Sequence, residues 1–275
     1  MYGARYNGSF VRLYDIVRTF PGYSLDVIWT LPVDVLVREV SLHVESSSFF
    51  HYHQYKMIDY HLHGNFCGHG EGDLEEYVRT AIDKGLHEIG FSAHLPKVDI
   101  PDPYHAMLEE ELPIYVENVL SLREKYSKFI KIKLGIEADY LEGYEEKILA
   151  LLEAHPFDYV IGSIHFLGDW HFTSRAGLVR YESEDPDKAF PDYFKLLGKM
   201  IRTGLFDIAG HPDAIKREYF VPSIDLVPYY RMIADALIEA GMAAEVNTAG
   251  LRRNAGFLYP CLLYTSDAAD EGLGV

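Results

Sequence analysis

His61 and His63 stand two residues apart at the end of a short apolar run, Met57-Ile-Asp-Tyr-His61. In extended chain, alternate side chains point the same way, so both imidazoles can face one metal ion. His69 follows in Cys67-Gly-His69-Gly-Glu71-Gly, where the glycines permit a tight loop that returns a third imidazole. His94 lies just past a second apolar run, in Phe91-Ser-Ala-His94-Leu-Pro96. Glu137 ends a third, in Gly135-Ile-Glu137-Ala-Asp139, with Asp139 one residue further out and expected in the loop. Ile161-Gly-Ser-Ile-His165 and Ile208-Ala-Gly-His211-Pro-Asp213 repeat the pattern of apolar run, small residue, histidine. Taken singly, each histidine is as well explained by a satisfied polar residue of a loop or core. A glutamate at a strand end is costly to bury unless it is paired or bound to metal. Together they are imidazole and carboxylate ligands without thiolates, which suits zinc, iron or manganese. Several such ions about 3.5–4 Å apart activate water and clamp phosphoryl oxygens.

Positioning these residues requires regular alternation. Strands are expected near Met57–His61, His87–Ser92, Lys131–Ala138, Tyr159–Ile164, Phe206–Ala209 and Ala243–Val246. Between them, helices are expected after the Asp73-Leu-Glu-Glu76 capping sequence up to Gly85, and near Ala106–Lys128, Gly143–Ala154, Asp187–Thr203 and Ile224–Ala240. Short apolar strands alternating with helices point to a parallel sheet with helices outside. The polar residues cluster at the C-terminal strand ends, with Asn247 following the last. In a parallel barrel those ends converge on one face. An open sheet would spread them along an edge, so a barrel is favoured.

The chain has 275 residues, 48% hydrophobic, enough for a sizeable core. Its formal net charge of -17 argues against a broad nucleic-acid-binding face, and no apolar run is long enough for a membrane helix. Two cysteines, Cys67 and Cys261, make no disulfide framework and fit a reducing cytoplasm. Residues 1–56 show no strand–helix alternation and are read as uncertain, a candidate non-native extension with Met57 as the true start. Residues 57–260 form the barrel. The tail 261–275 has neither a sustained apolar period nor a capped helix, and it resembles translated sequencing-adapter read-through.

In order, His61-x-His63, Cys-Gly-His69, Phe-Ser-x-His94, Gly-Ile-Glu137-Ala-Asp, Gly-Ser-Ile-His165-Phe and Gly-His211-Pro-Asp resemble the polymerase-and-histidinol-phosphatase (PHP) superfamily. Within it the chain most resembles the histidinol-phosphate phosphatases of the HisJ/HisK type, to which Glu245-Val-Asn247-Thr-Ala-Gly250-Leu-Arg is also similar. The resemblance implies a distorted parallel (β/α)7 TIM-like barrel. The expected six strands leave this chain short of its last. It also implies three divalent metal ions. His61, His63 and Glu137 would hold the first, and Glu137 would bridge to a second held by His165 and His211. His69 and His94 would hold the third. Glu137, His165 and His211 are accordingly the expected catalytic residues. Family members complete the site with a late Asp-x-His motif that this sequence lacks; at Ser266-Asp267-Ala268, Ala269 stands where the histidine is expected. Family members hold phosphate with arginines, and Arg175, Arg217 and Arg252, each after a strand end, are the candidates.

The residues point to hydrolysis of a small-molecule phosphate ester, and the resemblance implies that the ester is L-histidinol phosphate, in histidine biosynthesis. Two alternatives stand beside it. One is another PHP phosphoesterase acting on nucleotides or oligonucleotides. The other is an inactive truncated barrel that binds metal.

Overall fold

The computed structural model describes residues 57–260; the readings of 1–56 and 261–275, including Ser266–Ala269, lie outside them. Eight strands are described: β1 (Ile58–Leu62), β2 (Glu88–Phe91), β3 (Lys131–Asp139), β4 (Tyr159–Ser163), β5 (Phe166–Leu167), β6 (Trp170–His171), β7 (Ile208–Ala209) and β8 (Ala243–Ala244). Five α-helices lie between them: α1 (Leu74–Asp83), α2 (Leu112–Lys125), α3 (Glu145–Glu153), α4 (Pro186–Arg202) and α5 (Val227–Ala240). Six strands form one sheet in the order β1-β2-β3-β4-β7-β8, and every pairing in it is parallel. Neighbours in the sheet are thus joined by helical crossovers, as parallel pairing requires. No helix among the described residues is long and apolar enough to cross a membrane.

Local sequence explains where the helices begin. Asp73 accepts from the Glu76 amide while the Glu76 carboxylate accepts from the Asp73 amide, the reciprocal cap expected for α1. Helices α2 and α5 start later than their apolar pattern suggests, at Leu112 rather than 106 and at Val227 rather than 224. Both delays have one cause. Pro113 and Pro228 lack an amide hydrogen, which costs least in the first turn, so each favours a helix start just before it. A 3-10 turn, Glu109–Glu111, fills the gap before α2.

The sheet curls, and the interior shows it. Tyr159 on β4 donates to Tyr60 O on β1 at 2.6 Å and to Phe91 O on β2 at 3.3 Å, although two strands separate β1 from β4. Its ring fills space that side chains on β2 and β3 would otherwise occupy. A Cβ at Gly90 would lie 2.2 Å from the Tyr159 hydroxyl, and one at Gly135 would lie 2.1 Å from its ring. The glycines therefore admit the aromatic ring, and the ring ties the strands into a half-barrel. Buried Ile89, Phe91, Leu134, Ile136, Val119, Leu197 and Ile201 fill the layer between sheet and helices.

Candidate metal centre

Glu137 is the hub. It lies within β3, and its backbone is gripped by the segment after β2: Glu137 N donates to Ala93 O at 3.0 Å, and Leu95 N donates to Glu137 O at 2.7 Å. That bridge seats His94 beside it. The carboxylate is 1% exposed and surrounded by imidazoles. Oε2 lies 3.0 Å from His61 Nε2, 3.2 Å from His63 Nε2 and 3.3 Å from His94 Nδ1. Oε1 lies 3.2 Å from His211 Nε2 and 3.5 Å from His165 Nε2. The two oxygens thus face two different sets of nitrogens.

His69 arrives on the glycine loop, which closes through Gly70 N to Cys67 O and Asn65 N to Gly72 O. A Cβ at Gly70 would sit 2.1 Å from Gly64 O, so the closure requires glycine. The His69 ring centroid lies 5.2 Å from those of His63 and His94. All seven residues expected from the sequence are therefore brought together. Ligand atoms close enough to share an ion occur in the sets His63–His69–His94, His61–Glu137–His211 and His94–Glu137–His165. These sets cut across the pairing of ligands implied by the family resemblance, with Glu137 and His94 each common to two.

Behind the ligands stand partners that lie within the sequence motifs but were given no role there. Glu245, after β8, accepts from His61 Nδ1 at 2.8 Å and from His211 N at 2.7 Å. Cys67 Sγ accepts from His94 N and lies 3.4 Å from His63 Nδ1, and burial pushes its thiol up to about 12. Asp139 is a correction. Rather than sitting in a loop, it ends β3, pairs with Ser163, and bonds both His165 Nδ1 and Lys97. Such outer carboxylates fix the tautomer and aim of a ligating imidazole. His211 itself has φ 27, in the left-handed region that few non-glycine residues occupy. Strain of this kind is held where the surroundings over-determine a residue.

The electrostatics fit a cation cluster. Burial raises the pKa of Glu137, but the imidazoles around it, His61 first, outweigh that and hold the carboxyl well below its usual range. Burial drives His94 well below the ordinary histidine value, leaving its ring neutral. The protein around His69, and then the charge of His63, bring that ring down to about 4. His61 goes the other way: burial lowers it, yet Glu137 and Glu245 together raise it well above 6.5. A proton on His61 thus supplies positive charge where the carboxylates demand it. At the centre itself, Glu137 Oε2 and His211 Nδ1 are buried without a hydrogen bond. Three imidazole nitrogens crowd Oε2 at distances near hydrogen-bond length without its geometry, and His165 Nε2 faces His211 Nε2 at 3.2 Å. Nitrogens and a carboxylate turned toward one another in this way fit divalent metal ions of the zinc class.

The centre forms the floor of a cavity of about 980 Å³. Arg175, Arg217 and Arg252 all line it. Arg217 is buried and donates to Thr173 O and to Glu218, whereas Arg175 and Arg252 are exposed at the rim. Arg253, His105 and His171 line it too, and sequence reasoning did not select them. His171 sits on the β5–β6 hairpin, for which Gly168-Asp169 between Phe166-Leu167 and Trp170-His171 was the available signal.

Comparison with known proteins settles the family. The model of the PHP domain matches residues 59–249. The chain belongs to the PHP family. The PHP segment spans the whole described sheet, from β1 to the Glu245–Asn247 strand end. A relative from Deinococcus radiodurans, named "Probable histidinol-phosphatase", is 34% identical over 79% of this chain and 83% of its own. The histidinol-phosphatase of Bacillus subtilis is 27% identical over 73% of this chain and 84% of its own. Among solved structures, a HisK protein of Listeria monocytogenes aligns with TM-score 0.70 and 24% identity, covering 78% of this chain and 90% of that one. The Lactococcus lactis histidinol phosphate phosphatase, solved with zinc, L-histidinol and phosphate, aligns with TM-score 0.59 and 26% identity, covering 68% and 71%.

Proposed function

We propose that this PHP-family chain hydrolyses L-histidinol phosphate to L-histidinol and phosphate, using three divalent metal ions held by His61, His63, His69, His94, Glu137, His165 and His211. The observation that carries the reading is Glu137, whose two oxygens face separate sets of imidazoles beneath a cavity lined by four arginines. When bound, the ions supply a water that is nucleophilic near neutral pH and positive charge for the phosphoryl oxygens. The overall change adds water across the P–O bond: oxygen joins phosphorus, the ester bond breaks, and the alcohol leaves with a proton. Glu137, His165 and His211 would hold the ions against which the phosphoryl group is placed for attack. Arg175, Arg217 and Arg252 would draw the phosphate dianion in and orient it. Asp139 and Glu245 would keep the His165 and His61 rings aimed.

The test is a substrate and metal panel. Purified protein loaded with zinc, iron or manganese is assayed on L-histidinol phosphate and on nucleoside monophosphates, beside Glu137→Gln. Turnover of histidinol phosphate, lost by about 10²-fold or more in Glu137→Gln, is expected. Turnover of nucleotides alone would overturn the substrate, and protein that binds no ion and turns over neither would overturn the enzyme.

A further inference from the structure

A second group of ligand-type side chains stands apart from the Glu137 centre: His105 and His171, which line the cavity, and Asp102 behind them. Asp102, His105 and His171 each place one donor atom within 4.8 Å of the others. Asp102 belongs to the turn before α2, where its Oδ1 accepts from Tyr104 N and its backbone carbonyl accepts from His105 N. Its Oδ2 lies 2.7 Å from His105 Nδ1. His171 comes from the hairpin strand β6, and its ring is stacked on Phe166 with centroids 4.2 Å apart. The His105 and His171 rings meet edge to face at 4.6 Å. None of the three is among the residues around Glu137; the His171 ring centroid is 6.4 Å from that of His165.

We infer that Asp102, His105 and His171 form a further divalent-cation site of the zinc class, with an open coordination position toward the cavity. Two imidazoles and one carboxylate are a ligand set that zinc takes with its fourth position free. Tetrahedral bonds of about 2.0–2.1 Å need donor atoms about 3.3–3.5 Å apart, which small rotations of these three side chains reach. The ion takes the place of the proton now shared by Asp102 and His105. His171 is ready to ligate. Its ring, stacked on Phe166, faces the His105 ring. Each element contributes a fixed part: the turn holds Asp102, and Phe166 holds the His171 ring. The open position admits water or a nitrogen or oxygen donor on the organic part of a bound ester. This site does not rest on the hydrolytic reading of the Glu137 centre.

The experiment counts ions and locates them. Chelated protein is titrated with zinc and with cobalt, alongside His171→Gln, Asp102→Asn and Glu137→Gln, each checked for a native near-ultraviolet circular dichroism spectrum. His171→Gln and Asp102→Asn are expected to lose one equivalent per chain relative to the parent, or to bind it at least tenfold more weakly. Glu137→Gln should keep that equivalent while losing others. A zinc-edge anomalous map of crystals of the unsubstituted protein should show a peak between the three side chains, and this readout needs no variant. Equal stoichiometry and affinity in the parent and both variants, or a map with zinc near Glu137 and none between Asp102, His105 and His171, would overturn the inference. Absence of ions near Glu137 with a peak at Asp102 would overturn the hydrolytic reading alone.

Discussion

His61 Nδ1 and Glu245 Oε1 meet at 2.8 Å, although they come from opposite ends of the sheet, β1 and the residue after β8. The same carboxylate accepts from His211 N through its other oxygen and from Asn247 Nδ2 through this one. One buried group therefore fixes the tautomer of one candidate ligand and the backbone of another. With Nδ1 donating to Glu245, His61 aims Nε2 at Glu137, and an ion that binds there takes the place of the Nε2 proton.

Glu245→Gln keeps the size of the side chain and removes its charge. Loss of an outer partner of this kind costs about 10–100-fold in metal affinity. Competition with a chelator of known affinity should show that drop while far-ultraviolet circular dichroism stays native. An unchanged affinity would mean that His61 is aimed by packing alone.

Tyr159→Phe removes the hydroxyl that spans the barrel interior and leaves Tyr60 O and Phe91 O short of a donor. The expected loss is about 1–2 kcal/mol, read as a lower urea midpoint at constant slope. Gly135→Ala should cost more than a glycine-to-alanine change usually does, because the new methyl would meet the Tyr159 ring.

The arginines should separate by burial. Arg175→Ala, at the exposed rim, is expected to raise KM about tenfold, near 1.4 kcal/mol, without altering thermal stability. Arg217→Ala should raise KM and also lower the melting temperature, because Arg217 is buried and donates to Thr173 O. Matching effects from the two variants would deny Arg217 its structural part.

Metal-free protein should be sensitive to pH on two sides. The His61 pKa is raised above its unfolded value, against burial, by Glu137 and Glu245. Its contribution to stability is complete below about pH 6.5 and disappears as pH rises through the raised value. His94, lowered by burial, has the opposite sign: its contribution is complete above about pH 6.5 and is lost as pH falls through its lowered value. Ions that replace the His61 proton remove the alkaline loss. The gain in melting temperature on adding zinc to chelated protein should therefore widen between about pH 6 and pH 8. A constant gain would exclude a protonated His61 in the metal-free state.

Much of this was legible in the sequence because strand, small residue and histidine recur at one end of each strand. The parallel order and the convergence of His61, His63, His69, His94, Glu137, His165 and His211 follow from that pattern. What it hid were residues whose roles depend on distant neighbours. Glu245 reads as one more polar residue after a strand until the sheet curls and carries it to His61. Asp139 lies one position past an apolar run, where a loop is the natural reading; the ladder to Ser163 extends the strand instead. The starts of α2 and α5 were misplaced because apolar periodicity runs on past the prolines that limit them. His105 gave no signal, and for His171 the Gly168-Asp169 turn marks the hairpin but not the ring's place, since neither shares a strand end with the others.

The His61–Glu245 contact joins positions 184 residues apart, and that separation has a kinetic meaning. The chain must close a very long loop, and order the strands between, before the first strand can present its imidazole correctly. Local helices such as α1 form early and cheaply, while the ion-binding pocket is a late product of folding. Metal uptake followed in real time during refolding should accordingly lag behind the return of helical signal.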